Sequence, residues 1–374
     1  MNNSLHILVL SSWYPTERDP FLGNFVKRHV DLIATRHKVT VLHLESVENL
    51  MTFQHEQQTN GNLTEIFVRY PKSANPFFKW MHARKAFEIG SEHIHSVDFI
   101  HGHVILSKGM QFLWAQKKFK RPLLVSEHGS YFRPEARREW SLWQQVCVRK
   151  VLKAAAAVSV VSPLLKKEIQ DLVPASRLHV VPNVIDPAVF QYKPKSGEGR
   201  TQFIHISTLD ERFKNILGIL EACELLYGEV GPAFNMRIIS DADYSRWQQW
   251  VADHDMQECI SFAGPMSSLE VAENLQQSDA LVLFSDYETF SCVIAESWAT
   301  GTAVISTPVG IAETLDPKFG IQVPVHGVSE LVYAMKSVIK RTHMFDAEKV
   351  RQAATAYYPE NVLLQFEELY ALLS

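Results

Sequence analysis

Short apolar runs, each followed by a polar loop and then by apolar residues three and four apart, recur along the whole chain. The first run, Leu5–Leu10, ends in Ser11-Ser12-Trp13-Tyr14-Pro15, and a segment of helical period, Phe25–Ala34, follows it. Such runs bounded by turn residues predict buried strands, and spacing by three and four predicts one face of a helix. The same reading gives strands at Val39–Leu44, Phe99–Ile100, Leu123–Ser126, Ala157–Val161 and His179–Val181, with helices over Lys79–His95 and Glu139–Lys153. Strands that alternate with helices imply a parallel sheet covered on both faces.

The pattern pauses between Asp186 and Thr201, where Pro187, Pro194, Gly197 and Gly199 fall close together, and restarts at Phe203-Ile204-His205-Ile206. Strands are then expected at Met236–Ile239, Ile260–Phe262, Ala280–Phe284 and Ala303–Ser306, and helices at Ile216–Tyr227, Leu269–Gln277 and Cys292–Thr300. The expected fold class is therefore α/β, with two doubly wound, Rossmann-like parallel-sheet domains. They are placed at residues 1–186 and 201–355, with a linker at 187–200 and a C-terminal helix in 356–374 that packs back on the first domain. Open sheets of this kind bind ligands beyond the carboxyl ends of their strands, so two facing domains are expected to create one cleft.

Composition changes the picture little: 374 residues, 46% hydrophobic and 21% charged, suit two globular domains with cores of their own. Cys147, Cys223, Cys259 and Cys292 lie far apart, which signals neither a disulfide framework nor a cysteine zinc site and fits a reducing cytoplasm. The start of the chain lacks the pattern of a secretory signal, and the longest apolar stretch, Ala154–Val161, is too short to span a bilayer. Neither export nor a membrane span is expected. Charge is uneven: residues 1–186 carry 24 Lys and Arg against 16 Asp and Glu, a net +8, while the rest of the chain carries 13 against 25, a net −12. A basic half favours an anionic partner.

The segment richest in chemistry runs from Ser285 to Ser306. A buried strand ends at Phe284, a polar loop holds Glu288, and a helix starts near Ser291, which is expected to cap it. Unpaired N–H groups and the positive dipole end at such a start suit a diphosphate. Glu296 lies one to two turns inside that helix, so the two carboxylates can address different parts of one ligand.

Here the sequence resembles the family 4 retaining glycosyltransferases of GT-B fold, whose signature is a Glu, seven residues and a second Glu, followed by a small-residue helix, a Gly turn and a β-branched strand. The resemblance extends through Trp13-Tyr14-Pro15 and Gly23, Glu127-His128-Gly129, Pro182-Asn183-Val184-Ile185-Asp186, and Lys214-Asn215. It implies an acceptor-binding first domain and a donor-binding second domain. By the same resemblance Glu296 binds ribose hydroxyls, Glu288 faces the donor sugar, and Thr289, Phe290 and Ser291 offer backbone contacts to phosphate and sugar. It further implies that Lys214 holds the diphosphate, that His128 approaches the sugar, and that Gly23 admits the donor phosphates. One departure stands out. Where the family usually carries Gly-Arg-Leu, this chain has Ser207-Thr208-Leu209, so Thr208 replaces the arginine and Arg212 is the candidate to supply its charge.

Other signals are set aside. His93, His95, His101 and His103 do not match zinc spacing; the first pair is expected on a helix surface, the second lining the cleft or capping a strand. Asp241-Ala242-Asp243 resembles a metal-binding pair of another transferase class but falls in a loop after a strand, and no catalytic metal or other cofactor is expected. Neither Gly-x-Gly-x-x-Gly after the first strand nor a P-loop occurs, which argues against a dehydrogenase or an NTPase, and no nucleic-acid partner is expected. Lys117–Arg121 and Asn75–Trp80 mix basic and aromatic residues, a pattern that suits either a solvated helix end or peripheral contact with an anionic membrane.

The function expected from all this is retaining, metal-independent transfer of a hexose-type sugar from a nucleotide-diphosphate sugar to a saccharide or lipid-linked acceptor, in cell-surface polysaccharide or glycoconjugate synthesis, in the cytoplasm or at the inner face of its membrane. A nucleotide-sugar epimerase of GT-B fold and a non-catalytic nucleotide-sugar-binding partner are the alternatives.

Overall fold

The computed structural model describes residues 4–20, 22–106, 108–195 and 199–373. They divide into two compact units, Met1–Val184 with Val362–Ser374, and Ile185–Asn361.

The first unit holds one sheet of eight strands: β1 (His6–Ser11), β2 (Lys38–Val47), β3 (Gln54–Asn60), β4 (Leu63–Pro71), β5 (Phe99–His103), β6 (Leu123–Glu127), β7 (Ala157–Val160) and β8 (Leu178–Val180). Their order is β3-β4-β2-β1-β5-β6-β7-β8. Central β1 pairs in parallel with β2 and β5, placing Ile7 beside both Val39 and Phe99. The helices are α1 (Asn24–Ala34), α2 (Pro76–Ser91), α3 (Met110–Phe119), α4 (Pro134–Arg138), α5 (Leu142–Ala154) and α6 (Pro163–Ile169).

In this unit β3 and β4 escape the reading by apolar runs. β3 is polar and exposed along its whole length, and it pairs antiparallel with β4, against the expectation of a purely parallel sheet. A signal was present in Asn60-Gly61: Asn60 pairs with Leu63, and Gly61 takes the positive φ of 56° that a two-residue hairpin turn requires. Helix ends also shift. Asn75 accepts the N–H of Phe77 at 2.9 Å and Pro76 occupies the first turn, so α2 begins at residue 76 and ends at Ser91. His93 and His95 therefore sit beyond the helix, exposed, with His93 stacked on His55 at 4.3 Å. Ser141 and Gln144 form a capping box that starts α5 three residues later than expected.

The second unit holds six parallel strands: β9 (Thr201–Ile206), β10 (Phe234–Ile239), β11 (Ile260–Ala263), β12 (Ala280–Leu283), β13 (Ala303–Ser306) and β14 (Gly320–Gln322), in the order β11-β10-β9-β12-β13-β14. Its helices are α7 (Ile216–Val230), α8 (Ser245–Asp253), α9 (Ser268–Gln277), α10 (Cys292–Ala299), α11 (Val328–Ile339) and α12 (Ala347–Ala354). The chain winds from β9 outward to β11, then returns to the other side of β9 with β12. That reversal is the topological switch point where doubly wound sheets bind ligands.

The described part of the segment expected to link the domains belongs to the second unit. Phe190 is buried there, Gln276 donates to the Gln191 carbonyl at 2.6 Å, and Arg351 lies over the Tyr192 ring. Gly197, with the rest of 196–198, lies outside the described residues. The last helix, α13 (Pro359–Leu373), places Val362, Phe366 and Tyr370 in one core with Ile7, Val9 and Val30 of the first unit.

Candidate functional site

In the second unit two loops meet at the switch point. The loop after β9 is fixed from below by His205, whose Nδ1–H donates to the Val282 carbonyl (2.8 Å), leaving Nε2 to accept from Ser207 Oγ at 2.7 Å. Ser207 Oγ in turn accepts the Leu209 N–H at 3.1 Å, and Leu209 takes a φ of 52°. Burial lowers the His205 pKa to about 4, so this support is a neutral imidazole. The loop closes into α7 with Asn215 as cap, its side chain accepting the Gly218 N–H.

The loop after β12 is held by the Asp286 N–H, which donates to the Phe213 carbonyl at 2.7 Å, and by Thr307 Oγ1, which donates to the Ser285 carbonyl. These ties bring together the ends of two side chains 74 positions apart: Lys214 Nζ lies 2.5 Å from Glu288 Oε1. Ser285 Oγ donates to the same carboxylate oxygen at 3.0 Å. Both partners are largely shielded, at 16% and 13% side-chain exposure, so the pair sits in a less screened setting than a surface ion pair. The ammonium keeps two further N–H donors for another anion.

Glu296 lies on α10 at 8% exposure. Thr289 and Ser291 are half-buried, and Phe290 is buried with its ring edge-on to Tyr357 at 5.3 Å. Gly310 explains why Phe290 is held there: its φ is 53°, and a Cβ would lie 2.4 Å from the Phe290 carbonyl oxygen, which accepts the Ile311 N–H at 3.0 Å. That contact was not anticipated.

One expectation is corrected. Ser291 does not cap α10 with its side chain; it adopts the left-handed conformation (φ 69°, ψ 81°), and the first turn of α10 has no side-chain cap. Arg212, the candidate to supply the charge of the arginine missing at Thr208, is gripped by Asp210 through Oδ1 at 3.0 Å and Oδ2 at 2.6 Å, and its side chain is 78% exposed. Thr208 itself is exposed. Asp243, part of the Asp-Ala-Asp triplet set aside above, accepts the N–H and Oγ–H of Ser245.

In the first unit the switch point lies between β1 and β5. Gly23, at φ 76°, sits where a Cβ would come within 2.5 Å of the Trp13 carbonyl, so the glycine is required by the fold of its own loop. The Glu127 carboxylate accepts the Ile105 N–H at 2.8 Å and the Tyr131 hydroxyl at 2.5 Å, clamping the loops after β5 and β6; burial pushes its pKa up to about 7. His128 follows, 5% exposed, with burial lowering its pKa well below the usual value. Its Nε2 lies 3.1 Å from His103 Nδ1, and its ring is 4.7 Å from Phe25 and 5.5 Å from His29. His101 and His103 line no opening: both are fully buried within β5. His29, on α1, belongs to the same group, and only its place among the apolar positions of that helix could have marked it.

Comparison with known proteins agrees with this arrangement. Residues 23–189 match the model described as Glycosyltransferase Family 4, and residues 200–341 match Glycosyl transferases group 1. The chain is 23% identical over 223 residues, 58% of its length and 55% of the relative's, to the GDP-mannose:cellobiosyl-diphosphopolyprenol alpha-mannosyltransferase of Xanthomonas oryzae pv. oryzae (strain PXO99A). It is 28% identical over 173 residues, 44% of each chain, to the N-acetyl-alpha-D-glucosaminyl L-malate synthase of Bacillus anthracis. The chain thus spans about half the length of the curated relatives it matches. Among solved structures, sucrose-phosphate synthase from Thermosynechococcus elongatus superposes with a TM-score of 0.78 at 17% identity, covering 98% of this chain and 99% of the other. Anabaena HepE in complex with UDP superposes at 0.74 and 14%, covering 98% and 100%. Likeness at such identities shows the GT-B fold.

Proposed function

The chain belongs to the family 4 glycosyltransferases, and on that premise we propose that it moves a hexose-type sugar, with retention, from a nucleotide-diphosphate sugar onto a saccharide or lipid-linked acceptor in polysaccharide or glycoconjugate synthesis. The observation that carries the reading is the Lys214–Glu288 pair at the switch point of the second unit. Lys214 lends its remaining N–H donors to the diphosphate, and the start of α10 lends backbone N–H groups. As the anomeric bond breaks, charge grows on the leaving phosphate, and both sets of donors gain strength from it. Glu288, with one oxygen held by Lys214 and Ser285, keeps the other for sugar hydroxyls, while Glu296 serves the ribose hydroxyls. The reading uses no metal ion: the leaving charge is met by Lys214 and α10. His128, kept neutral by burial, serves the sugar as a hydrogen-bonding group and not as a cation.

A lipid-linked acceptor suits the basic first half of the chain, where Phe77, Phe78 and Trp80 stand exposed around Lys79 at the start of α2. Among the described residues no helix is long and apolar enough to cross a membrane. Co-sedimentation with anionic vesicles that weakens at high salt is the matching behaviour.

The deciding experiment offers a panel of nucleotide sugars with and without saccharide and polyprenyl-linked acceptors. Nucleoside diphosphate released only when acceptor is present supports transfer. Sugar interconversion without acceptor would establish an epimerase, and nucleotide binding without turnover would establish a binding partner, the reading that the exposed Thr208 and the occupied Arg212 favour.

A further inference from the structure

Three histidines outside the donor-binding machinery of the second unit converge in the first. His29 comes from α1, His103 from the end of β5, and His128 from just past β6, and one ring nitrogen of each lies within 4.8 Å of the other two. Their exposures are 1%, 0% and 5%, so water does not compete for these nitrogens.

The hydrogen bonds define which nitrogens carry lone pairs. His29 Nε2 lies 3.0 Å from the Pro182 carbonyl oxygen, which can only accept, so the proton is on Nε2 and Nδ1 is left as a bare lone pair. That Nδ1 is buried and has no hydrogen-bond partner. His103 Nδ1 and His128 Nε2 face each other at 3.1 Å and share a single proton. Buried nitrogens without partners call for an explanation, and a missing ligand is one.

We infer that His29, His103 and His128 form a binding site for a divalent transition-metal ion of the zinc class. Imidazole nitrogens hold zinc at about 2.0–2.1 Å, which in a tetrahedron separates two ligand nitrogens by about 3.3 Å. The His103–His128 separation is already close to that. Moving the shared proton to His103 Nε2 frees both facing nitrogens, so metal enters with no net change in protonation. The Pro182 carbonyl, by taking the far N–H of His29, orients that ring in the way metal-ligating histidines are oriented. An all-imidazole donor set suits zinc, cobalt, nickel or copper and excludes magnesium and calcium, which need oxygen ligands. Three protein ligands leave a fourth position for water or another small ligand.

The consequence for activity rests on the transfer reading given above; the binding does not. Metal would engage the His128 ring, a side chain assigned to the sugar, so the loaded chain should be a slower transferase. The site is inhibitory, not catalytic.

The test uses the full chain freed of any affinity tag and stripped with a chelator. Cobalt(II) is titrated while the visible absorption is followed, and zinc is then added in competition. One equivalent of cobalt with the intense bands of a tetrahedral site, displaced by zinc, is expected. His29→Gln and His103→Gln should each weaken binding by more than the roughly 10–100-fold typical of losing an outer-shell partner alone. His93→Gln, in the exposed His55–His93 stack, should leave it unchanged. Equal affinity in wild type and His29→Gln, or loss of binding in His93→Gln, would overturn the site. Should His103→Gln fail to fold, the melting temperature of the wild type decides: a rise on adding zinc that His29→Gln does not share supports the site, and no change in the wild type refutes it.

Discussion

Replacing Gly310 by alanine should damage stability and catalysis together, because this glycine lets two backbone segments touch. Its φ of 53° costs a residue with a Cβ about 1–2 kcal/mol. The added Cβ would also stand 2.4 Å from the oxygen and 2.7 Å from the carbon of the Phe290 carbonyl. A side chain could rotate away from such a contact, but a peptide group cannot. Phe290 has little room to retreat, since its ring is 1% exposed and meets Tyr357 edge-on. Forced overpacking of this kind costs about 1–3 kcal/mol. The total is about 2–5 kcal/mol, part of it relieved by shifting residues 288–291 at the start of α10. A displacement near 1 Å there would lower turnover on the order of a hundredfold. Urea unfolding reads the first effect and steady-state kinetics the second. Gly228→Ala is the control: nothing lies within 4 Å of its Cβ position, and alanine inside α7 should stabilise by roughly 0.5–1 kcal/mol. A Gly310→Ala protein as stable and as active as the wild type would refute the reasoning.

Two further outcomes follow from the charges. Lys214→Ala should lower turnover by about a hundred- to a thousandfold, the cost of one preorganised donor at a developing charge. Arg212→Ala, whose guanidinium is taken by Asp210, should change it little, and the reverse ranking in steady-state kinetics would show that Arg212 is the diphosphate cation. Acid should destabilise the fold: His205 is held at about 4 against an ordinary 6.5, and His43 is also lowered by burial, so the unfolded chain takes up protons that the folded chain refuses. His205 withdraws on the order of 3 kcal/mol as pH falls from about 6.5 to 4, and His43 acts in the same direction. Glu127, raised to about 7, acts the other way, gaining stability as pH falls from about 7 to 4.5, but it stands against several histidines. Urea unfolding at pH 7.5 and 5 checks the sign, and equal stability at both would contradict it.

The alternation of apolar runs with helical periods is a local property, and it was enough to determine the α/β class and the place of nearly every central strand, because those strands are buried on both faces. It could not register β3, whose polar residues bury nothing and which exists because Asn60-Gly61 turns the chain back along β4. The spacing of Glu288 and Glu296, with Lys214 far upstream, marked candidates for one site. That Lys214 and Glu288 touch was decided by strand order, since β9 and β12 are neighbours though far apart in sequence. The same holds for Arg212, whose guanidinium is held by its neighbour Asp210, and for the three histidines that converge in the first unit, one from α1, one from β5 and one from beyond β6. Side chains meet where the sheet order places their backbones, and no window along the chain contains that order.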